Sequence, residues 1–244
     1  MRSTVLHADD AGLSPEINQA ILELVQQEKL TSISVISNAE YAAEFAESLN
    51  KLWPKISRPP QVFLHFNIIE GKPLTLWPAD SNRIDSNGNF YFGYSGVVKA
   101  LLKRKINPEV VRSELDAQYQ KATDLGLNIV GIDSHQHMHA LAPIAEVVRE
   151  FAAQHNIKAI RSYDDMQTQT LIGAIKLALF RLLSVVTERT YYGRLRLPPA
   201  WHGHTWRKFV MTSWESISAS KLKKDQIITC HPGSKVDRGF TPSS

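Results

Sequence analysis

A single cysteine, Cys230, is all the thiol that 244 residues supply. A disulfide framework within one chain is thereby excluded, and a reducing compartment, the cytoplasm, is the expected location. The opening stretch MRSTVLHADD runs into a strand pattern without a long apolar segment, which argues against a secretory leader. The very apolar segment LIGAIKLALFRLLSVV (171–186) is too short for an ordinary membrane span and carries Lys176 and Arg181. It reads as a buried or interface helix, with a membrane-surface helix as the alternative; an interface helix would suit a homodimer. No repeat and no clean linker interrupt the chain. No recognisable nucleic-acid motif is present, so nucleic acid is not an expected partner.

The net charge is also small, at +4, but charge is unevenly spread. Leu171 to Lys224 holds ten Lys and Arg against two Glu, whereas the remainder is slightly acidic. A solvated basic face is the plain reading, and an anionic ligand or membrane surface is the alternative.

What is present is an alternation. Hydrophobic residues make up 43% and charged residues 21%, enough for a substantial core. Strands are expected at Thr4–Ala8, Ser32–Ser37, Val62–Phe66, Ile129–Asp133, Ala159–Ser162, Phe209–Thr212 and Ile227–Cys230. Helices are expected at Pro15–Gln27, Ala42–Leu52, Pro108–Leu125, Pro143–Gln154, Leu171–Val186 and Trp214–Ser220. Ser14, Pro15 and Glu16 supply start chemistry for the first helix. Alternating β and α segments predict an α/β fold with mostly parallel strands, and about seven of them favour a barrel-like form. A single domain over residues 1–244 is expected. Trp77–Val98, rich in Asn, Asp, Gly and aromatics, reads as a loop excursion, a lid or a small hairpin.

Four polar clusters fall where predicted strands end. They are Asp9 and Asp10 in VLHADDAGLS, His65 in FLHFNIIEGKPL, Asp133 to His139 in GIDSHQHMHA, and His231 in IITCHPG. In parallel α/β folds the carboxyl ends of the strands share one rim, where sites are built. Buried adjacent carboxylates persist when a cation or a shared proton holds them. On a regular strand Asp133, His135, His137 and His139 would share a face, although the strand is expected to end near His135, so only part of that face need be regular. Carboxylate and imidazole ligands without thiolate suit Zn, Mn, Fe, Co or Ni, and Mg when waters complete the shell. Cys230 should point away from His231 and is not an expected ligand. Both Asp side chains reach one site only if the strand breaks there, and DDAGLS offers a Gly for such a turn. One Asp would then bind the metal while the other acts on a water.

HADDAGLSPEINQAI, LHFNIIEGKPL, GIDSHQHMH and CHPG, in this order, resemble the YdjC-like carbohydrate deacetylase family, which includes chitooligosaccharide deacetylases and hopanoid-biosynthesis-associated members. The likeness runs from residue 4 to about 233. It implies a (β/α) barrel-like fold related to polysaccharide deacetylases, a divalent metal ion (Mg or Zn), and hydrolysis of an N-acetyl group on an amino sugar or oligosaccharide. It further implies Asp10, His65 and His135 as metal ligands, Asp9 as general base, and His231 as general acid or oxyanion stabiliser. Asp133, His137 and His139 would support the ligands or touch substrate. Arg161 would tether a catalytic carboxylate or the substrate, with a surface salt bridge as its plainer reading.

The chain departs from that pattern at three places. His7 stands where relatives usually have Asn, Ala11 where they commonly have Phe, and SKVDRGFTPSS ends the sequence where they continue. A missing closing element would leave a barrel edge open or covered by a partner subunit. Trp77, Phe90, Tyr91, Phe92, Tyr94 and Trp201 are candidates to stack on sugar rings. The alternatives to a deacetylase are a metal-dependent phosphoesterase or other hydrolase, and an inactive relative that binds sugar or lipid.

Overall fold

The computed structural model describes residues 5–78, 83–90, 94–157, 159–161, 171–192, 208–211 and 226–233. Seven strands lie in one sheet: β1 (Val5–Ala11), β2 (Ser32–Val35), β3 (Gln61–Phe66), β4 (Ile129–Ser134), β5 (Ala159–Ile160), β6 (Lys208–Met211) and β7 (Gln226–Cys230). Their order is β5-β4-β3-β2-β1-β7-β6, and every pairing is parallel. That is the cyclic order of a (β/α) barrel, with no pairing between β5 and β6 among the described residues. The α/β, parallel, barrel-like architecture expected from the alternating pattern is the one observed.

Six helices are described: α1 (Pro15–Gln26), α2 (Ala42–Leu52), α3 (Tyr94–Leu102), α4 (Pro108–Asp124), α5 (Ile144–Gln154) and α6 (Leu171–Tyr192). α1 begins as its sequence directs, with the Ser14 side chain accepting from the Ile17 N–H and Pro15 in the first turn. Ile17, Ile21, Leu24 and Val25 bury its inner face, a spacing that places all four on one stripe. β2 and residues 62–66 of β3 are buried throughout, on both faces, as strands of a covered parallel sheet are; one face of the sheet carries buried polar residues, among them His7, Ser32, Ser34 and Asp133.

The differences from expectation have local causes. β1 continues through both Asp residues to Ala11 instead of ending at Ala8. α6 runs six residues past Val186, to Tyr192. Part of the expected excursion at 77–98 belongs to α3, whose internal Gly96 weakens its helical signal. The rest includes a bridge between Ile84 and Phe90. Phe90 is buried in the core, with its ring edge-on to Trp77 at 5.1 Å, so it packs and is not offered to a sugar. Tyr91, Phe92, Trp201 and the expected helix Trp214–Ser220 lie outside the described residues. α6 exposes Ile175, Leu179, Leu182 and Val186. Among the described residues, no helix is long and apolar enough to cross a membrane.

Candidate metal centre

The two adjacent Asp residues converge because the strand breaks at Asp10 itself. Its φ is +69°, and the β1–β2 register shifts between Ala8 and Ala11. Such a bulge re-aims one side chain while leaving the strand paired on either side, and Asp tolerates the left-handed region better than most residues. The turn continues through Gly12, at φ +97°, where a Cβ would press on the Ile36 carbonyl oxygen and on Ala42. Asn18 of α1 secures it, accepting from the Gly12 N–H at 2.7 Å and donating to the Tyr41 carbonyl. The expected Gly turn is therefore present, but it follows the break.

Asp10 Oδ1 faces both His65 Nε2, at 3.3 Å, and His135 Nδ1, at 2.9 Å. Ligand atoms of Asp10, His65 and His135 all lie within 4.8 Å of one another. One carboxylate and two imidazoles drawn from the ends of β1, β3 and β4 form a candidate three-ligand set for a divalent cation. Burial alone would strip the proton from His65, but Asp133, Asp9 and Asp10 push its pKa up to about 10. Burial likewise opposes the charge on His135, and Asp10 and Glu70 raise it to about 9. Burial would raise the Asp10 pKa, yet the two imidazoles hold it far below the usual carboxylate range. A dication bound here would replace two imidazolium protons without changing the net charge of the cluster, so the residues present fit such an ion.

Beside it lies a second cluster, His7, Asp9 and Asp133, whose ligand atoms also converge. Its cation is already in place. Arg161 donates Nη1 to Asp9 Oδ2 at 2.7 Å and Nη2 to Asp9 Oδ1 at 2.5 Å, and Nη2 also reaches Asp133 Oδ2. Burial would raise both carboxyl pKa values, but the guanidinium overrides it and holds each well below the ordinary range. Arg161 is thus a buried tether for the Asp9 carboxylate, not a surface salt bridge.

Two of these contacts were not foreseen from the sequence. His7 appeared there only as an unusual residue before Ala-Asp-Asp. Its Nε2 lies 3.0 Å from Asp9 Oδ1 and 3.4 Å from Asp133 Oδ2, and 2.8 Å from Ser34 Oγ, which itself donates to Asp133. All three oxygens demand a donor, so Nε2 carries a hydrogen. Residues two apart on a strand share a face, and that rule could have paired His7 with Asp9. Glu70, in the loop after β3, accepts from His135 Nε2 at 2.8 Å. A loop residue carries no periodicity, and nothing in the sequence singled it out.

The His-rich segment does not continue as a strand. β4 ends at Ser134, and His135–Ala140 form a 3-10 turn with Gln136 and His137 at positive φ. The alternation that would have aligned three histidines is lost after His135. His137 packs edge-on against Phe180 with ring centroids 6.2 Å apart. His139 is buried; it donates from Nε2 to the Arg161 carbonyl at 2.9 Å and accepts from Ser134 Oγ at Nδ1. Asp133 accepts from His65 Nδ1 at 2.6 Å, fixing that ring from behind. His231, after β7, places Nε2 3.7 Å from Asp9 Oδ2 and is 27% exposed. Cys230 turns away, its Sγ donating to the His7 carbonyl.

The chain is 31% identical over 173 residues to a carbohydrate deacetylase of Clostridium beijerinckii, covering 68% of this chain and 65% of that one. It is 30% identical over 181 residues to a chitooligosaccharide deacetylase of Proteus mirabilis, covering 70% and 65%. A carbohydrate deacetylase of Xenopus laevis is 30% identical over 158 residues, 64% of this chain and 49% of its own. The chain thus spans about half to two thirds of the length of these curated relatives. Among solved structures, a cellobiose-phosphate cleavage protein of Enterococcus faecalis V583 superposes with a TM-score of 0.61 at 19% identity, over 95% of this chain and 81% of that one, a likeness of fold. The family profile described as YdjC-like protein matches residues 3–243, and the chain belongs to the YdjC-like family.

Proposed function

We propose that this protein removes the N-acetyl group from an amino sugar or oligosaccharide by metal-dependent hydrolysis. The observation that carries the reading is the pairing of two sites: a ligand triad of Asp10, His65 and His135, and a carboxylate, Asp9, clamped beside it by Arg161. The names of the relatives supply the substrate class. Two imidazoles and one carboxylate favour Zn or a similar borderline ion, and Mg would need waters to complete its shell. The single cysteine, Cys230, is buried, which accords with a reducing compartment such as the cytoplasm.

Asp10, His65 and His135 would hold a divalent ion, which would supply Lewis-acid chemistry toward a water and the acetamide carbonyl. The remaining steps belong to the chain. Both oxygens of Asp9 accept from Arg161, but Oδ1 also faces His7 Nε2, so Oδ2, the oxygen facing His231, takes the proton as water attacks the carbonyl carbon. A carboxylate so strongly stabilised in its ionised form holds a proton only briefly. His231 is the onward acceptor, and it delivers the proton to the nitrogen as the C–N bond breaks. The products are acetate and the free amino sugar, which balances one water against one amide. The reading is tested by acetate release from N,N′-diacetylchitobiose and from N-acetylglucosamine derivatives, with phosphoesters as controls. Acetate from the amides alone is expected, and turnover of the phosphoesters alone would overturn it.

A further inference from the structure

His65 and His135 are wired to carboxylates in opposite senses. On His65, Nδ1 meets Asp133 at 2.6 Å and Nε2 meets Asp10 at 3.3 Å. On His135, Nε2 meets Glu70 at 2.8 Å and Nδ1 meets Asp10 at 2.9 Å. Each ring therefore turns one nitrogen to the shared Asp10 and the other to a carboxylate of its own. An imidazole that ligates a cation through one nitrogen keeps its hydrogen on the other, and the partner of that hydrogen decides which is which.

We propose that Glu70 is a positioning residue for the metal: by holding the hydrogen on Nε2 of His135, it makes His135 a ligand through Nδ1, while Asp133 makes His65 a ligand through Nε2. This rests on the metal site of the preceding section. The backbone prepares the arrangement. His135 opens the 3-10 turn at the end of β4, where Gln136 and His137 adopt positive φ. Glu70 is delivered from the other side by a tightly bonded loop. Asn67 accepts from the Ile69 and Glu70 N–H groups and donates to the Glu70 carbonyl oxygen, while Gly71 follows at φ +72°. Further along, buried Glu114 holds the backbone N–H groups of Leu74 and Thr75. The Glu70 carboxylate is thus presented to His135 by a fixed backbone, and it remains 28% exposed at the mouth of the site. Glu70 serves His135 as Asp133 serves His65, although one carboxylate comes from a loop and the other from a strand.

The test uses the full chain loaded with zinc and labelled with 15N-histidine, alone and as Glu70→Ala and Glu70→Gln. Long-range proton–nitrogen NMR reports which nitrogen of each ring bears zinc, and competition with a chelating dye reports zinc affinity. The wild type should show zinc on Nδ1 of His135 and on Nε2 of His65. Glu70→Ala should lose ~10–100-fold in zinc affinity, with the His135 Nε2 hydrogen exchanging faster. Glu70→Gln, whose amide oxygen still accepts, should keep the pattern and recover most of the affinity. Zinc on Nε2 of His135, or on Glu70 itself, would overturn the inference while leaving the metal site standing. So would a folded Glu70→Ala protein with wild-type affinity. If the Ala variant does not fold, the wild-type spectrum alone decides. A wild type that takes up no zinc would overturn the metal site, and the role of Glu70 with it.

Discussion

Arg161 holds Asp9 by both carboxylate oxygens, at 2.7 and 2.5 Å, from the residue that follows β5. Lysine cannot reproduce that fork. In Arg161→Lys, kcat for acetate release should fall on the order of 100-fold through misplacement of the base, while KM and metal content change little. Arg161→Ala would leave two buried carboxylates without their cation and should cost roughly 3–5 kcal/mol of stability, read by urea denaturation.

The bulge at Asp10 sends Asp9 and Asp10 to different partners, so the proposed mechanism gives these neighbours separable tasks. Asp9→Asn should lower kcat ~100–10,000-fold with metal content retained. Asp10→Asn should lose the metal as well. Elemental analysis beside acetate release distinguishes them, and equal metal loss in both would contradict the assignment.

How far this site was legible in the sequence follows from where each residue sits. Asp9, Asp10, His65, Asp133 and His231 end apolar runs or stand within a residue of one, and parallel strands bring such ends to one rim. Arg161 was readable for the same reason, although only geometry shows that it takes both oxygens of Asp9. Glu70 and His7 were not singled out, since the role of each depends on which ring nitrogen meets which oxygen. His137 and His139 were placed by strand periodicity, and that reasoning stopped applying where Gln136 and His137 turn to positive φ. α3 was hidden because Gly96 and the polar, aromatic stretch before it resemble a loop.

Burial of His139 gives it a contribution to the pH dependence of stability whose sign follows from its environment. Burial, with Arg161 and His65 nearby, lowers its pKa to about 4 against the support of its bond to the Arg161 carbonyl. The folded chain therefore refuses a proton that the unfolded chain accepts below about 6.5. The stability that neutral His139 contributes is full above that value. It is lost as pH falls toward 4, at up to ~1.4 kcal/mol per pH unit. His139→Gln should be less stable than wild type at pH 7.5, and the gap should narrow at pH 5. A gap that is constant or widens toward acid would contradict this.

Glu114 is a buried carboxylate that accepts from the Leu74 and Thr75 N–H groups, Thr75 Oγ1, Trp77 Nε1 and Gln118 Nε2. Glu114→Ala strands several donors at once and should cost roughly 2–4 kcal/mol. Limited proteolysis should find new cleavage between residues 70 and 78, and thermal denaturation should show the loss. Glu114→Gln, which can still accept from part of the set, should fall between the two.

The central claim is that Asp10, His65 and His135 hold a catalytic divalent ion. Its most direct test is metal content of freshly purified protein, measured together with acetate release from N,N′-diacetylchitobiose, for wild type and His135→Ala. The account predicts about one metal ion per wild-type chain, and loss of both metal and acetate release in the variant. A wild type that binds no metal when Zn, Mn, Co or Mg is supplied, or a variant that keeps both, would contradict it.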